Sequence, residues 1–181
     1  MLTLPSRRRG FTLVEALIGM VILGLLVALA VPGFQEWIRN SQIRNAADAM
    51  NNGLQVARAE AISRNGLVQF RFNATTFGWE VWDLAGNVQI RAWTPQQGAR
   101  NTTVTATGGN MVTFNGLGRV VANTNVVPPA TVPAATLTTL DVAASAGSTS
   151  ATRALRVTIG PAGNARMCDP AITTTGDPRG C

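Results

Sequence analysis

The sequence contains no histidine, lysine or tyrosine, and only two of its 181 residues are cysteine. Without histidine, Ser-His-Asp and Cys-His nucleophile systems are excluded, and two cysteines cannot fill the four positions of a structural zinc site. Charged residues are scarce at 13%, whereas 46% of the residues are apolar. This composition excludes an intrinsically disordered chain and allows one domain with a hydrophobic core plus an additional segment. We therefore expect neither an enzyme nor a cofactor or metal site.

The additional segment is an apolar stretch near the amino terminus. Residues 1–10 include three consecutive arginines at positions 7–9. Residues 11–34 then read FTLVEALIGMVILGLLVALAVPGF, in which Glu15 is the one ionisable side chain. A membrane-spanning helix needs about 20 mostly apolar residues, and arginines in front of it favour a cytoplasmic start. The rest of the chain is then expected outside the cytoplasm.

Three simpler interpretations of this stretch are open. The tripeptide Ala28-Leu29-Ala30 matches the cleavage pattern of a secretory signal peptide, and Arg8-Arg9 allows a twin-arginine signal. An uncleaved stretch would be an ordinary single-span anchor. None of these accounts easily for Glu15, because a carboxylate inside an apolar span costs about 2.5–3.5 kcal/mol and marks a functional position.

Residues 9–15, RGFTLVE, closely resemble the leader junction of type IV pilins and type II secretion pseudopilins. The resemblance implies that residues 1–10 are a leader and that a prepilin peptidase cleaves between Gly10 and Phe11. It also implies N-methylation of Phe11 and a role for Glu15, then the fifth residue, in recruiting subunits into a filament. The family further carries a proline that breaks the helix, which corresponds here to Pro32.

Simple electrostatics gives a physical basis for the role that the resemblance implies for Glu15. The freed amine of Phe11 is a cation near the apolar interior, and Glu15 of a neighbouring subunit is an anion at similar depth. Each charge is costly alone and far less costly when paired, so one pair can set the register between subunits. Pro32 lacks an amide donor and clashes with the preceding turn, so we expect a kink or local melting near residues 28–34.

Helical periodicity continues beyond the apolar stretch. Six apolar residues spaced by three and four form one narrow stripe: Ile43, Ala47, Met50, Leu54, Ala57 and Ala61. Asn65-Gly66 then supplies a stop signal. We expect one helix from Phe11 to about Arg64, with residues 11–34 in the membrane and residues 35–65 amphipathic and packed under a domain.

Residues 66–181 predict an antiparallel β domain. Period-two alternation and turn residues mark eight strands, at 67–72, 79–84, 88–93, 103–106, 111–115, 119–122, 137–143 and 153–160. Prolines at positions 128, 129 and 133 predict a loop between two of these strands. The expected fold is therefore α+β: a long amino-terminal helix, first transmembrane and then periplasmic, packed on antiparallel sheets as in type IV pilins.

Cys168 and Cys181 are the only thiols, and the second ends the chain. In a domain exported to an oxidising compartment we expect them to form a disulfide that holds the tail. Closing this loop should stabilise the fold by about 3 kcal/mol in the chain-entropy model. A redox role is disfavoured because the sequence has neither a Cys-x-x-Cys motif nor a histidine to activate a thiolate.

The tail, in residues 159–170 and 176–181, resembles the end of the FimT and FimU minor pilins, relatives of the GspH pseudopilin. The resemblance implies a minor pilin of type IV pilus biogenesis, or alternatively a GspH-like minor pseudopilin of type II protein secretion. The implied partners are other pilins or pseudopilins, which bind through the amino-terminal helix, and the prepilin peptidase. The implied location is the bacterial inner membrane, with the head in the periplasm, and the pilus filament or its tip after assembly.

Some FimT proteins bind DNA through a Gly-Arg-x-Arg motif in the tail. The matching residues here are Gly163-Asn164-Ala165-Arg166, which keep the second arginine only. From Arg39 onward the chain has 12 Arg against 7 Asp and Glu, a net charge of +5. A cluster of arginines can bind phosphates weakly and without sequence preference, and the candidates are Arg153, Arg156, Arg166 and Arg179. The alternative is that they form an ordinary solvated sheet face.

Overall fold

A computed structural model of the chain describes residues 10–123, 135–145 and 152–181. The chain divides into two compact units, Met1–Trp37 and Ile38–Cys181. The arginines of the predicted leader and the predicted proline-rich loop at positions 128–133 lie outside the described residues.

Helix α1 comprises Leu13–Arg64. It begins two residues later than predicted and ends where the Asn65-Gly66 signal predicts. Asn65 adopts a positive φ of 47°, and the amide of Gly66 donates to the carbonyl of Ala61 at 3.1 Å. The amide of Asn65 donates to the carbonyl of Ile62 at 3.2 Å, which completes a Schellman cap and satisfies two of the last carbonyl groups.

Within the described part of the second unit, nine strands form two antiparallel sheets. The first sheet has the order β3-β2-β1-β5-β6, built from β1 Val68–Asn73, β2 Gly78–Asp83, β3 Val88–Trp93, β5 Met111–Phe114 and β6 Val120–Val121. The second has the order β4-β7-β8-β9, built from β4 Thr102–Thr107, β7 Thr139–Ala144, β8 Leu155–Ile159 and β9 Ala165–Cys168. The predicted α+β arrangement, with two small sheets, is confirmed.

Strand β9 is a strand that the sequence pattern does not predict. Its four residues alternate only weakly, and they become a strand because they pair with β8 from Ile159↔Ala165 to Arg156↔Cys168. The other eight strands lie where the period-two pattern predicts them, with shifted ends. The β8–β9 hairpin therefore depends on tertiary pairing, which overrides a weak local preference.

The core lies between the second half of α1 and the inner faces of both sheets. All six residues of the predicted helix stripe are at most 1% exposed and belong to one cluster with apolar residues of both sheets. Gly53 lies in the same face, and a Cβ built there would be 2.6 Å from the Trp79 ring and 2.8 Å from the Phe70 ring. The helix therefore needs glycine at this position to let two aromatic rings approach its backbone.

Candidate functional site

The predicted processing site lies directly before helix α1. Gly10 and Phe11 precede the helix and are exposed, Phe11 by 85%. Thr12 Oγ1 accepts a hydrogen bond from the amide of Glu15, and the Thr12 carbonyl accepts one from Ala16, both at 3.2 Å. Thr12 is therefore the N-cap of α1. Glu15 lies in the first helical turn, where a negative charge is favoured by the helix dipole.

The helix surface that follows is apolar and uncovered within the first unit. Its large apolar side chains between Phe11 and Val31 are 45–85% exposed. Among the described residues one helix, α1, is long and apolar enough to cross a membrane, as judged by length and composition. Soluble monomers rarely expose an apolar surface of this extent, and such a surface suits contact with lipid or with other helices.

Residue 32 lies inside a continuous helix. Helix α1 includes position 32. The kink or local melting expected at Pro32 stays a prediction.

Two of the candidate DNA-binding arginines, Arg156 and Arg166, lie on one face of the second sheet. The β8–β9 register places them on the same side of the sheet as diagonal neighbours. Arg156 donates from Nε and Nη2 to the two carboxylate oxygens of Asp141 at 2.6 and 3.1 Å. These hydrogen bonds raise the pKa of the Arg156 guanidinium. Arg166 donates to the carbonyl of Gly180 at 3.0 Å, so its charge is the less compensated of the two.

The other two candidates, Arg153 and Arg179, line a cleft together with Arg44, which sequence analysis did not identify as a binding residue. The cleft has a volume of about 530 Å³ and is lined by Asn40, Arg44, Arg153, Leu155, Met167, Cys168, Asp169, Ile172, Pro178 and Arg179. Arg44 directly follows Ile43, the first residue of the buried helix stripe. Its position at the edge of the packed face is the sequence feature that could have indicated a binding residue. The predicted cluster of four arginines is thus divided between a sheet face and a cleft.

The tail that forms one wall of the cleft contains a local charged pair. Arg179 donates from Nη2 and Nε to the carboxylate of Asp177 at 2.8 and 3.1 Å. These hydrogen bonds, together with the Arg179 amide, lower the pKa of Asp177 to about 2. Because the pKa is lowered by folding, the pair stabilises the tail above the ordinary aspartate pKa, and this contribution is lost as the pH falls toward 2.

The predicted disulfide is present. Cys168 and Cys181 are bonded, with their Cα atoms 5.2 Å apart. Beside it, the amide of Asp169 donates to the carbonyl of Arg179 at 2.7 Å, and Asp169 pairs with Gly180 in an isolated parallel bridge. The tail therefore folds back along the end of β9 and fixes the shape of the cleft wall.

Curated relatives match short parts of this chain. A fimbrial protein of Moraxella nonliquefaciens is 35% identical over 56 residues, 29% of this chain and 36% of the relative. A type IV major fimbrial protein FimA of Dichelobacter nodosus is 37% identical over 57 residues, 32% of this chain and 35% of the relative. The chain thus spans about a third of the length of these relatives.

Solved structures share the fold of most of the chain. The type IV minor pilin FimU of Pseudomonas aeruginosa superposes with a TM-score of 0.50 at 21% identity, covering 74% of this chain and 92% of FimU. The minor pseudopilin EpsH from the type 2 secretion system of Vibrio cholerae superposes with a TM-score of 0.52 at 15% identity, covering 72% of this chain and 99% of EpsH. The α+β fold predicted from the pilin resemblance is confirmed by both.

Two family profiles match the sequence itself. The prokaryotic N-terminal methylation motif matches residues 5–31, and the type II transport protein GspH matches residues 46–163, which is more than half of the chain. These matches identify the chain as a member of the GspH family of type II transport proteins that carries a prokaryotic N-terminal methylation motif.

Proposed function

We propose that the protein is a minor pilin of type IV pilus biogenesis. A prepilin peptidase cleaves it between Gly10 and Phe11 and methylates Phe11, while the inner membrane holds α1 and the head lies in the periplasm. The observation that carries the proposal is the exposed apolar helix surface that begins at Phe11 and contains one acid, Glu15, in its first turn. Such a surface suits a subunit that moves from lipid into a bundle of similar helices.

The amino-terminal residue of the protein recovered from membranes tests this proposal. We expect mass spectrometry of the intact polypeptide to give a chain that begins with N-methyl-Phe11. Replacing Gly10 by a bulky residue should leave the leader attached, because the peptidase must approach the backbone at this exposed junction. A chain beginning at Val31, or an intact leader in the wild-type protein, contradicts the proposal.

A GspH-like role in type II protein secretion is the second candidate function. The match of residues 46–163 to the GspH profile favours it. Deleting the gene separates the two roles: loss of pili with normal secretion supports the pilus assignment, and loss of secretion with normal pili supports the pseudopilin assignment.

We further propose that the sheet face bearing Arg156 and Arg166 contributes to weak DNA binding. Two guanidinium groups lie on this face, and Asp141 competes with a phosphate for Arg156. With about two phosphate contacts, the affinity for double-stranded DNA should fall roughly ten-fold when salt is raised four-fold.

A gel-retardation experiment with the mature full chain in non-ionic micelles measures this effect. We expect the double substitution Arg156→Gln and Arg166→Gln to abolish retardation at low salt. The matched control is Arg91→Gln, which removes an exposed arginine from β3 of the other sheet. If wild-type protein fails to retard DNA at low salt, or if both variants retard it equally, this face has no role in DNA binding.

A further inference from the structure

The arginine cleft lies within the second unit and is built from three parts of the chain. Arg44 comes from α1, Arg153 from the residues just before the β8–β9 hairpin, and Arg179 from the disulfide-closed tail. The amide of Arg153 donates to Asn40 Oδ1 at 3.0 Å, which fastens the hairpin to the helix. The cleft volume of about 530 Å³ lies in the range of small-molecule pockets, roughly 300–1,000 Å³.

The cleft carries an excess of positive charge. Within the described residues the guanidinium groups of Arg44 and Arg153 form no ion pair, and the acid four residues along the helix, Asp48, does not reach Arg44. Asp169 is the one acid in the described lining, and its Oδ1 accepts the amide of Ala171 at 2.9 Å. Two arginines are therefore available to an anionic ligand.

The remaining lining is partly apolar. Leu155, Met167 and Ile172 contribute aliphatic surface beside the arginines, and Met167 is 36% exposed. Methionine adapts its shape to different partners, which suits a surface that receives a side chain from another molecule. The site thus offers cations for a carboxylate and an apolar surface for the residues next to it.

We propose that this cleft binds an acidic peptide segment of another subunit of the filament. The inference rests on the proposed function, since assembly through α1 would bring neighbouring heads to the helix that carries Arg44. A peptide fits the lining: its carboxylates pair with Arg44 and Arg153, and its apolar side chains cover Leu155, Met167 and Ile172. A phosphodiester chain also supplies anions, but it has no apolar side chains to cover this surface.

Peptide binding to the mature full chain in non-ionic micelles tests the proposal. The probe is a fluorescein-labelled, amidated octapeptide of alternating Leu and Glu, and its reference has Gln in place of Glu. Because hydrogen bonds to charged groups are the strong ones, we expect the double substitution Arg44→Gln and Arg153→Gln to raise the Kd of the acidic probe by about ten-fold or more. Arg91→Gln should leave it within about two-fold, as expected for a remote surface charge.

Several outcomes overturn the proposal. One is an unchanged Kd in the double variant, and another is equal binding of the Gln reference peptide. A third is binding of a 20-nucleotide DNA, or of vesicles containing phosphatidylglycerol, that depends more strongly on Arg44 and Arg153 than peptide binding does. The result is separable from the proposed function: arginine-independent peptide binding by a chain that begins at N-methyl-Phe11 contradicts this inference alone. Arginine-dependent peptide binding by a chain that retains its leader contradicts the proposed function alone.

Discussion

Replacing Glu15 by alanine is expected to abolish incorporation of the protein into filaments while leaving its insertion into the membrane intact. Insertion should even become easier, because an unpaired carboxylate in an apolar span opposes insertion by about 2.5–3.5 kcal/mol. Assembly should fail because the amine of the adjoining subunit would be buried without its counter-ion, which costs about 3–5 kcal/mol. This corresponds to a decrease of at least about 100-fold in incorporation, measured by immunoblotting of sheared filaments against membranes.

Two further variants separate the charge of Glu15 from its role in starting the helix. Glu15→Gln keeps the size and hydrogen-bonding capacity of the side chain but removes its charge, so we expect it to fail as Glu15→Ala does. Thr12→Ala removes the N-cap hydroxyl that accepts the Glu15 amide and should weaken the helix start by about 1 kcal/mol, yet keep the charge and permit assembly. Normal incorporation of Glu15→Gln would show that charge pairing does not recruit the subunit.

The helix and the strands of the head could be predicted because their signals are local. The stripe from Ile43 to Ala61 repeats at three and four residues, and this spacing is set by the turn of the helix itself. The alternation of apolar and polar residues in β1 and β2 is a local signal too, because it follows from the geometry of the strand itself. By contrast, β9 forms only where β8 provides a partner, and four residues carry too little pattern to indicate this.

The arrangement of the arginines was beyond sequence reasoning for a different reason. Whether Arg153 and Arg156 share a site depends on where the strand ends, on which face of the sheet each side chain lies and on the path of the tail. A change of register by one residue moves every side chain of a strand to the opposite face of the sheet. Arg44 lies more than 100 positions from Arg153 in the chain and joins it only through tertiary packing. Charge counting therefore predicted a basic surface but could not divide it between a face and a cleft.

Within the tail motif, residues 163–166, Gly163 is the residue whose replacement is most restricted sterically. It lies in the β8–β9 turn with a positive φ of 80°, and a Cβ built there would clash with the carbonyl oxygen of Gly118. That oxygen accepts a hydrogen bond from Arg58 Nε at 3.1 Å, so it is held in place by the helix. Packing of the β8–β9 turn against the helix and the first sheet thus accounts for this glycine independently of any DNA-binding motif.

Gly163→Ala is therefore expected to destabilise the head by about 3 kcal/mol, from the left-handed backbone and the displaced Gly118–Arg58 hydrogen bond together. In a unit of this size the midpoint of thermal unfolding, followed by near-ultraviolet circular dichroism, should fall by about 10 °C. The matched control is Gly176→Ala: Gly176 has a similar φ of 89°, but a Cβ there meets nothing within 4 Å. The free energy of unfolding of Gly176→Ala should fall only by the cost of the left-handed backbone, about 1 kcal/mol. Equal destabilisation by both variants would mean that the contact with Gly118 does not hold the turn, and that the positive φ alone selects glycine at position 163.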